Sequence, residues 1–196
     1  MGRRSDHTRP ELREMIVSEG HRQISQVGFA RFSAREVAKR IGYTVGTLYN
    51  VFGSYDQLLL AINGRTLDMW LASLERRLDG VGARRLEVTI RAYFEFALEH
   101  RHAWTALYDF RLPEGEAMPD IYRGKVEAIT AVIVREIAAE LSEASAGQAA
   151  RLAPSLLAIV HGHCFFAMNG TFALLGEADP VARALERVED ALAAYR

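Results

Sequence analysis

Along most of the chain, apolar residues return every three or four positions, the interval that gathers them on one face of an α-helix. Alternating runs bounded by hairpin turns, the mark of half-buried strands, do not occur. The pattern predicts an all-α protein. Pro10 stands where a first helical turn tolerates it, and Leu12, Ile16, Ile24 and Val27 then mark an apolar face ending at Gly28, a helix over about 10–27. Ser33, with Glu36 three residues later, has the spacing of a capping box and opens a helix over about 34–41 that Gly42 stops. Thr44 caps a third helix, over about 44–51, closed by Gly53 and Ser54. Asp56 favours the start of a fourth, which Leu58, Leu59, Ile62, Leu67, Trp70, Leu71, Leu74 and Leu78 carry to about residue 78, before Gly80 and Gly82. Helices are then expected over about 84–100, 102–110, 119–143, 148–175 and 180–195, about nine in all.

Two short helices joined by a tight turn containing glycine form a helix-turn-helix. In REVAKRIGYTVGTLYNVF, residues 35–52, the core positions are Val37, Ala38, Ile41, Leu48 and Phe52. The second short helix turns outward Thr44, Val45, Gly46, Thr47, Tyr49 and Asn50. Small residues there allow close approach, hydroxyls reach phosphates and base edges, and an asparagine suits adenine, so the set fits a major groove. Short helices with polar faces also occur in small helical proteins that bind no DNA, and the spacing alone leaves both readings open.

Gly28-Phe29, Ser33 to Ala38, Ile41 to Tyr49, Phe52 and Leu58-Leu59 together closely resemble the N-terminal domain of TetR-type (tetracycline-repressor-like) transcriptional regulators. The likeness covers about residues 10–62 and fixes glycines, caps and core positions together. It implies a helix-turn-helix DNA-binding domain over 1–55 and a larger helical effector-binding and dimerisation domain over 56–196. It further implies a homodimer on a near-palindromic double-stranded operator, with the helix beginning at Thr44 from each subunit in successive major grooves. A small molecule bound in the C-terminal domain would change the spacing of those helices. Ser33, Arg35, Thr44, Val45, Gly46, Thr47, Tyr49, Asn50 and Tyr55 are the implied DNA-binding residues. Two positions depart from the family pattern. Val51 stands where a histidine or other polar aromatic is common, and Tyr55 where a lysine is common. The Tyr55 hydroxyl can still meet a phosphate; Val51 cannot. Arg3, Arg4 and Arg9 fit either a groove-seeking arm or a solvated terminus.

Beyond Gly82 the chain is rich in large aromatic and soft residues, enough for a core and for a largely apolar ligand pocket within it. Tyr93, Phe96, Trp104, Tyr108, Phe110, Tyr122, His161, Phe165 and Met168 are the candidate ligand-binding residues. In LLAIVHGHCFFAMNG, the pair His161-Gly162 before an apolar helix resembles a TetR C-terminal class with a Trp-His-Gly signature, here without the tryptophan. Gly162, Ala167 and Gly170 permit close helix packing, and the family's dimer interface is a four-helix arrangement of the last two long helices. His161 and Cys164 share a helix face while His163 points elsewhere, and two ligands do not make a metal site.

Composition narrows the remaining choices. Nine Arg or Lys face six Asp or Glu in residues 1–60, and fifteen face nineteen in the remainder, so only the N-terminal end has the sign for phosphate. Cys164 is the single cysteine, which excludes an internal disulfide and a cysteine-rich zinc module. No apolar run follows the basic residues of the first segment, and a cytoplasmic protein without a membrane partner is expected. There is no glycine-rich phosphate loop, HExxH, G-x-S-x-G or obvious carboxylate pair, and no cofactor or enzymatic activity is implied. The sequence therefore reads as a dimeric transcriptional regulator, a repressor released by a small, largely apolar effector. The alternative is a helical small-molecule-binding or assembly protein without sequence-specific DNA binding.

Overall fold

The structure is a computed structural model that describes residues 7–196. Arg3 and Arg4 lie outside the described residues. Among the described residues all regular structure is helical, as the periodicity predicts. There are ten α-helices: α1 (Arg9–Val27), α2 (Ala34–Arg40), α3 (Val45–Phe52), α4 (Tyr55–Leu78), α5 (Arg85–Glu99), α6 (Arg101–Asp109), α7 (Asp120–Ala138), α8 (Ala149–Met168), α9 (Thr171–Leu175) and α10 (Pro180–Ala193). Short 3-10 turns cover Phe29–Arg31 and Ala146–Gln148.

The helix ends show why these segments fold locally. At α1 the Thr8 hydroxyl accepts the Glu11 amide while the Glu11 carboxylate accepts the Thr8 amide at 2.7 Å, a complete capping box. At α2 only half of the expected box forms. Ser33 accepts the Glu36 amide at 3.3 Å, but its own amide donates at 2.8 Å to the buried side-chain oxygen of Gln23 on α1. A tertiary bond thus replaces the local one and pins the start of α2 to α1. The Ser54 hydroxyl accepts the Gln57 amide at 3.1 Å and opens α4.

The span expected as one helix over 148–175 is two. Gly170 adopts φ +81°, a left-handed conformation that ends α8, and the Asn169 side chain accepts the Thr171 amide at 3.0 Å to begin α9. Gly170 therefore terminates a helix rather than packing within one. Helix α7 also stops at Ala138, short of the expected 143.

The chain forms two compact units, one of residues up to 68 with 100–123, the other of 69–99 with 124–196. In the first, α1, α2, α3 and the N-terminal half of α4 bury Ile16, Ile24, Val37, Leu48, Leu58, Leu59 and Ile62, and Ala106 of α6 joins that core. Polar fasteners hold α6 there. Asn63 of α4 donates to the Ala106 carbonyl at 3.2 Å, and His102 donates its Nδ1 proton to the Ser25 carbonyl at 3.0 Å. In the second, α8 packs on α10 and α5, and Trp70, Leu74, Phe94, Ile137, Cys164, Val188 and Leu192 are buried.

One buried charge marks the second unit. The Glu136 carboxylate is almost wholly enclosed and receives Nε (2.7 Å) and Nη2 (3.0 Å) of Arg85 together with Nε (2.9 Å) and Nη2 (2.7 Å) of Arg135. Arg85 also donates to the carbonyls of Leu78 at 2.9 Å and Val81 at 2.8 Å. Burial opposes the charge on Glu136, but the Arg85 and Arg135 guanidiniums outweigh it and hold the carboxyl below the usual carboxylate range.

Residues 146–168, which contain α8, include an 18-residue window of mean hydropathy 1.2 and are long enough to cross a membrane by length and composition alone. Only 28% of that window is buried within the chain.

Candidate nucleic-acid interface and ligand cavity

The two short helices α2 and α3 pack on each other across a turn in which Gly42 has φ +79° and the Tyr43 amide returns to the Ala38 carbonyl at 2.9 Å. Leu48 and Phe52 face inward from α3. That choice of inward face fixes what α3 turns out: Thr44, Gly46, Tyr49 and Asn50 are exposed. Thr47 is half-buried, and Val45, expected outside, packs partly against the core, as does Val51. Sequence spacing places Val45 outward because it treats the helix in isolation; at the first turn the core of α1 and α2 reaches round to it.

The Thr44 side chain accepts the Thr47 amide at 3.2 Å, and the two hydroxyls lie 3.0 Å apart. Thr44 therefore caps α3 and presents its hydroxyl beside that of Thr47 at the exposed N-terminal end. Ser33 caps α2, and Arg35 is exposed one residue into that helix's first turn. Lys39, four residues on and also exposed, was not anticipated; the i, i+4 spacing from Arg35 is the signal that would have found it. Neither cation forms an ion pair among the described residues, whereas Arg40 pairs with Glu19 at 3.3 Å. Tyr55, the first residue of α4, has its ring 6.1 Å from that of Phe32. Burial, then the neighbouring Tyr49 and Asp56, push its phenol above the ordinary value, so the hydroxyl stays a donor at neutral pH.

The second unit contains a small apolar cleft, part of it open to solvent. Trp70 of α4, Leu86, Thr89, Ile90 and Tyr93 of α5, and Ile133 and Ile137 of α7 form one side. Leu156, Leu157 and Val160 of α8 and Val188 of α10 form the other. Of the nine residues anticipated as ligand-binding, Tyr93 lines this space. His161 stands behind it, its Nδ1 sharing a 2.8 Å hydrogen bond with the Tyr93 hydroxyl. Phe96 stacks on Trp70 with ring centroids 5.3 Å apart, and Phe165 sits beside His161 at 6.3 Å. Met168 is buried in the last turn of α8. Trp104, Tyr108, Phe110 and Tyr122 belong to the first unit, where Phe110 meets Phe29 edge-on at 6.4 Å. Sequence reasoning favoured aromatics, but the wall is mostly aliphatic; the readable signal was the i, i+3 and i+4 spacing of Leu86, Thr89, Ile90 and Tyr93.

Burial also sets the chemistry of the neighbouring groups. It holds the His161 imidazole below its ordinary value and pushes the Cys164 thiol up to about 12, leaving the thiol unreactive. His163 donates its Nδ1 proton to the Ile159 carbonyl at 2.8 Å.

The family model described as bacterial regulatory proteins, tetR family, matches residues 16–62, and the tetracyclin repressor-like C-terminal domain model matches residues 86–192. No curated protein matches the chain. Among solved structures, a protein with unknown function from Rhodococcus sp. RHA1 is similar with a TM-score of 0.73 at 21% identity, covering 99% of each chain. A TetR-like transcriptional regulator from Rhodococcus sp. RHA1 gives 0.57 at 19% identity, covering 93% of this chain and 94% of that one. The multidrug binding protein EbrR, complexed with imidazole, gives 0.63 at 19% identity, covering 93% and 96%. At these identities the structural likeness is one of fold. With its reading head and its C-terminal domain both matched, the chain belongs to the tetR family of bacterial regulatory proteins.

Proposed function

We propose that the protein is a homodimeric, cytoplasmic repressor that binds a near-palindromic operator through α3 and leaves it when a small molecule occupies the cavity of the second unit. The observation that carries this reading is the outward set on α3: Thr44, Gly46, Tyr49 and Asn50 exposed together opposite buried Leu48 and Phe52, with unpaired Arg35 and Lys39 on the neighbouring α2. Hydroxyls and an amide above small residues suit base edges and phosphates, and free cations release counterions from the duplex. The effector acts by population shift, favouring a state whose paired reading helices no longer fit successive grooves. Helix α4 runs through both units and is the covalent route for that coupling.

Dimerisation is supported by the uncovered side of α8 and α9, where Leu157, Phe165, Phe166, Leu174 and Leu175 are exposed. Gly162, in the middle of α8, has nothing within 4 Å of where a Cβ would stand. A mid-helix glycine costs about 1 kcal/mol against alanine, and within this chain no neighbour requires it. A second copy packed across that stripe supplies the reason, and the same apolar surface accounts for the hydropathy of α8 without a membrane. The family is one of regulators, and we read no catalytic role into the site.

The deciding experiment is selection of bound sequences from a random duplex pool at near-physiological salt, with a Thr47→Ala, Tyr49→Ala double variant in parallel. An inverted repeat recovered by the unmodified protein alone upholds the reading. Recovery of nothing, or of the same sequence-independent pool by both, overturns it in favour of a helical ligand-binding or assembly protein.

A further inference from the structure

Between Arg40 and Asp56 the chain contains no Asp, Glu, Lys, Arg or His. Helix α3, its cap and the turns on either side of it all fall in that uncharged stretch. The charges that border it are placed elsewhere: Arg40 pairs with Glu19 at 3.3 Å, and Asp56 lies half-buried in the first turn of α4. The unpaired cations Arg35 and Lys39 belong to α2, and in a helix-turn-helix the first helix crosses the sugar-phosphate backbone. The absence of charge on α3 is informative because the four bases are not taken by the same chemistry. In the major groove guanine is held bidentately by Arg or Lys and cytosine by Asp or Glu, whereas adenine is held by Asn or Gln and thymine by apolar contact with its methyl.

What α3 presents suits the second pair of bases. Gly46, Tyr49 and Asn50 stand at i, i+3 and i+4, share one face and are all exposed. The Asn50 side-chain amide has no hydrogen-bond partner among the described residues, so its oxygen and its NH2 are both available, as adenine N6 and N7 require. At Gly46 one atom, Thr44 Oγ1 at 3.7 Å, comes within 4 Å of where a Cβ would stand. The face thus has a methyl-sized notch one turn back from the amide. The Thr44 and Thr47 hydroxyls lie 3.0 Å apart and share a proton between themselves, and hydroxyls accept or donate to any base, so they discriminate little.

We propose that α3 discriminates A·T pairs alone: in each half-site Asn50 takes N6 and N7 of one adenine, the notch at Gly46 takes the methyl of a thymine, and the cations of α2 are left to phosphates. This deepens the regulator reading and rests on it. The operator accordingly has A·T pairs where α3 lies, and guanine or cytosine there finds no side chain of α3 to hold it.

The test uses the full chain and the duplex recovered by selection, with single bases replaced in turn: uracil for thymine, 7-deazaadenine for adenine and 7-deazaguanine for guanine. Because the changes are made in the DNA, the fold of the protein is untouched. Uracil at one thymine of each half-site is expected to weaken binding about fourfold, the worth of one buried methyl-sized group. Gly46→Ala, which fills the notch, should bind that uracil duplex at least as well as the thymine one. At one adenine, 7-deazaadenine should weaken the unmodified protein by about fivefold or more and leave Asn50→Ala unaffected, so that the two changes act as one loss. The proposal is overturned when no thymine responds to uracil, or when Asn50→Ala and 7-deazaadenine add as independent losses at every adenine. Half-sites that respond only to 7-deazaguanine also overturn it, and they leave the regulator reading standing. Recovery of a sequence-independent pool removes both.

Discussion

A side-chain carbon added at Gly20 of α1 would stand 2.4 Å from Cδ1 and 2.9 Å from Cγ1 of Ile62 on α4, with Phe32 Cε2 at 3.7 Å. Helix α1 thus meets α4 with the glycine as the point of contact, and Ile62 fills the space a methyl would need. Gly20→Ala should gain up to about 1 kcal/mol of helix propensity and lose about 1–3 kcal/mol to overpacking. The expected net is a destabilisation of about 1–2 kcal/mol by urea titration. Adding Ile62→Val should recover most of it, and a double variant no better than Gly20→Ala would contradict this packing.

His21, one residue further and facing the same unit, is buried with no hydrogen-bond partner at Nε2 among the described residues. Burial, followed by the nearby Arg65 and His100 charges, lowers its pKa to about 4. The folded pKa lies below the unfolded one, so the unfolded chain binds the extra proton and stability falls as pH drops from about 6.5 to about 4. The loss across that window should be about 2 kcal/mol, and His21→Leu should flatten it. Equal slopes for the two proteins would exclude His21 as the cause. Glu136, Glu19 and Glu11, held below the ordinary carboxylate value, add their own losses only below about pH 4.5.

At Gly46 the nearest atom to an added Cβ is the Thr44 hydroxyl oxygen at 3.7 Å, an ordinary contact. Gly46→Ala should therefore leave the melting temperature unchanged or slightly raised. On the operator it should weaken binding about tenfold or more, about 1.4 kcal/mol, if the proposed docking through α3 brings the duplex against this methyl. A variant that binds DNA as well as the unmodified protein would show that the N-terminal end of α3 is not the closest point of contact.

Gly162→Glu places a charge on the exposed stripe of α8 without meeting anything in its own chain. The isolated fold should tolerate it within about 0.5 kcal/mol. Sedimentation should nevertheless show the mass of the unmodified protein halved, and operator affinity should fall with it. An unchanged mass would move the dimer interface away from α8.

The helical plan was legible because each element carries its own punctuation: Pro10, Ser33, Thr44, Gly42 and Gly53 mark ends that the structure places within a residue or two. Errors arose where a tertiary partner overrides local chemistry. Gln23, not Glu36, takes the Ser33 amide, and nothing in the local spacing of 33 and 36 announces a side chain ten residues upstream. Gly170 has the residue type of a helix end but lies in an apolar run that masks the end. Gly20 gave the opposite signal, an isolated glycine inside a helical pattern, and its meaning depends on Ile62, forty-two positions away. On α3 the exposed residues follow from which two are buried, whereas the cavity wall draws on five helices and its aliphatic members look like any core.

The Arg85 guanidinium joins three segments at once: the last carbonyl of α4 at Leu78, the turn at Val81 and the Glu136 carboxylate of α7. Sliding α4 by a fraction of an ångström would stretch several charge-assisted bonds together, and releasing one of them leaves a carboxylate enclosed among fewer partners. The C-terminal end of α4 is therefore clamped: one guanidinium ties it to the turn that follows and to α7, so the three segments keep a common register.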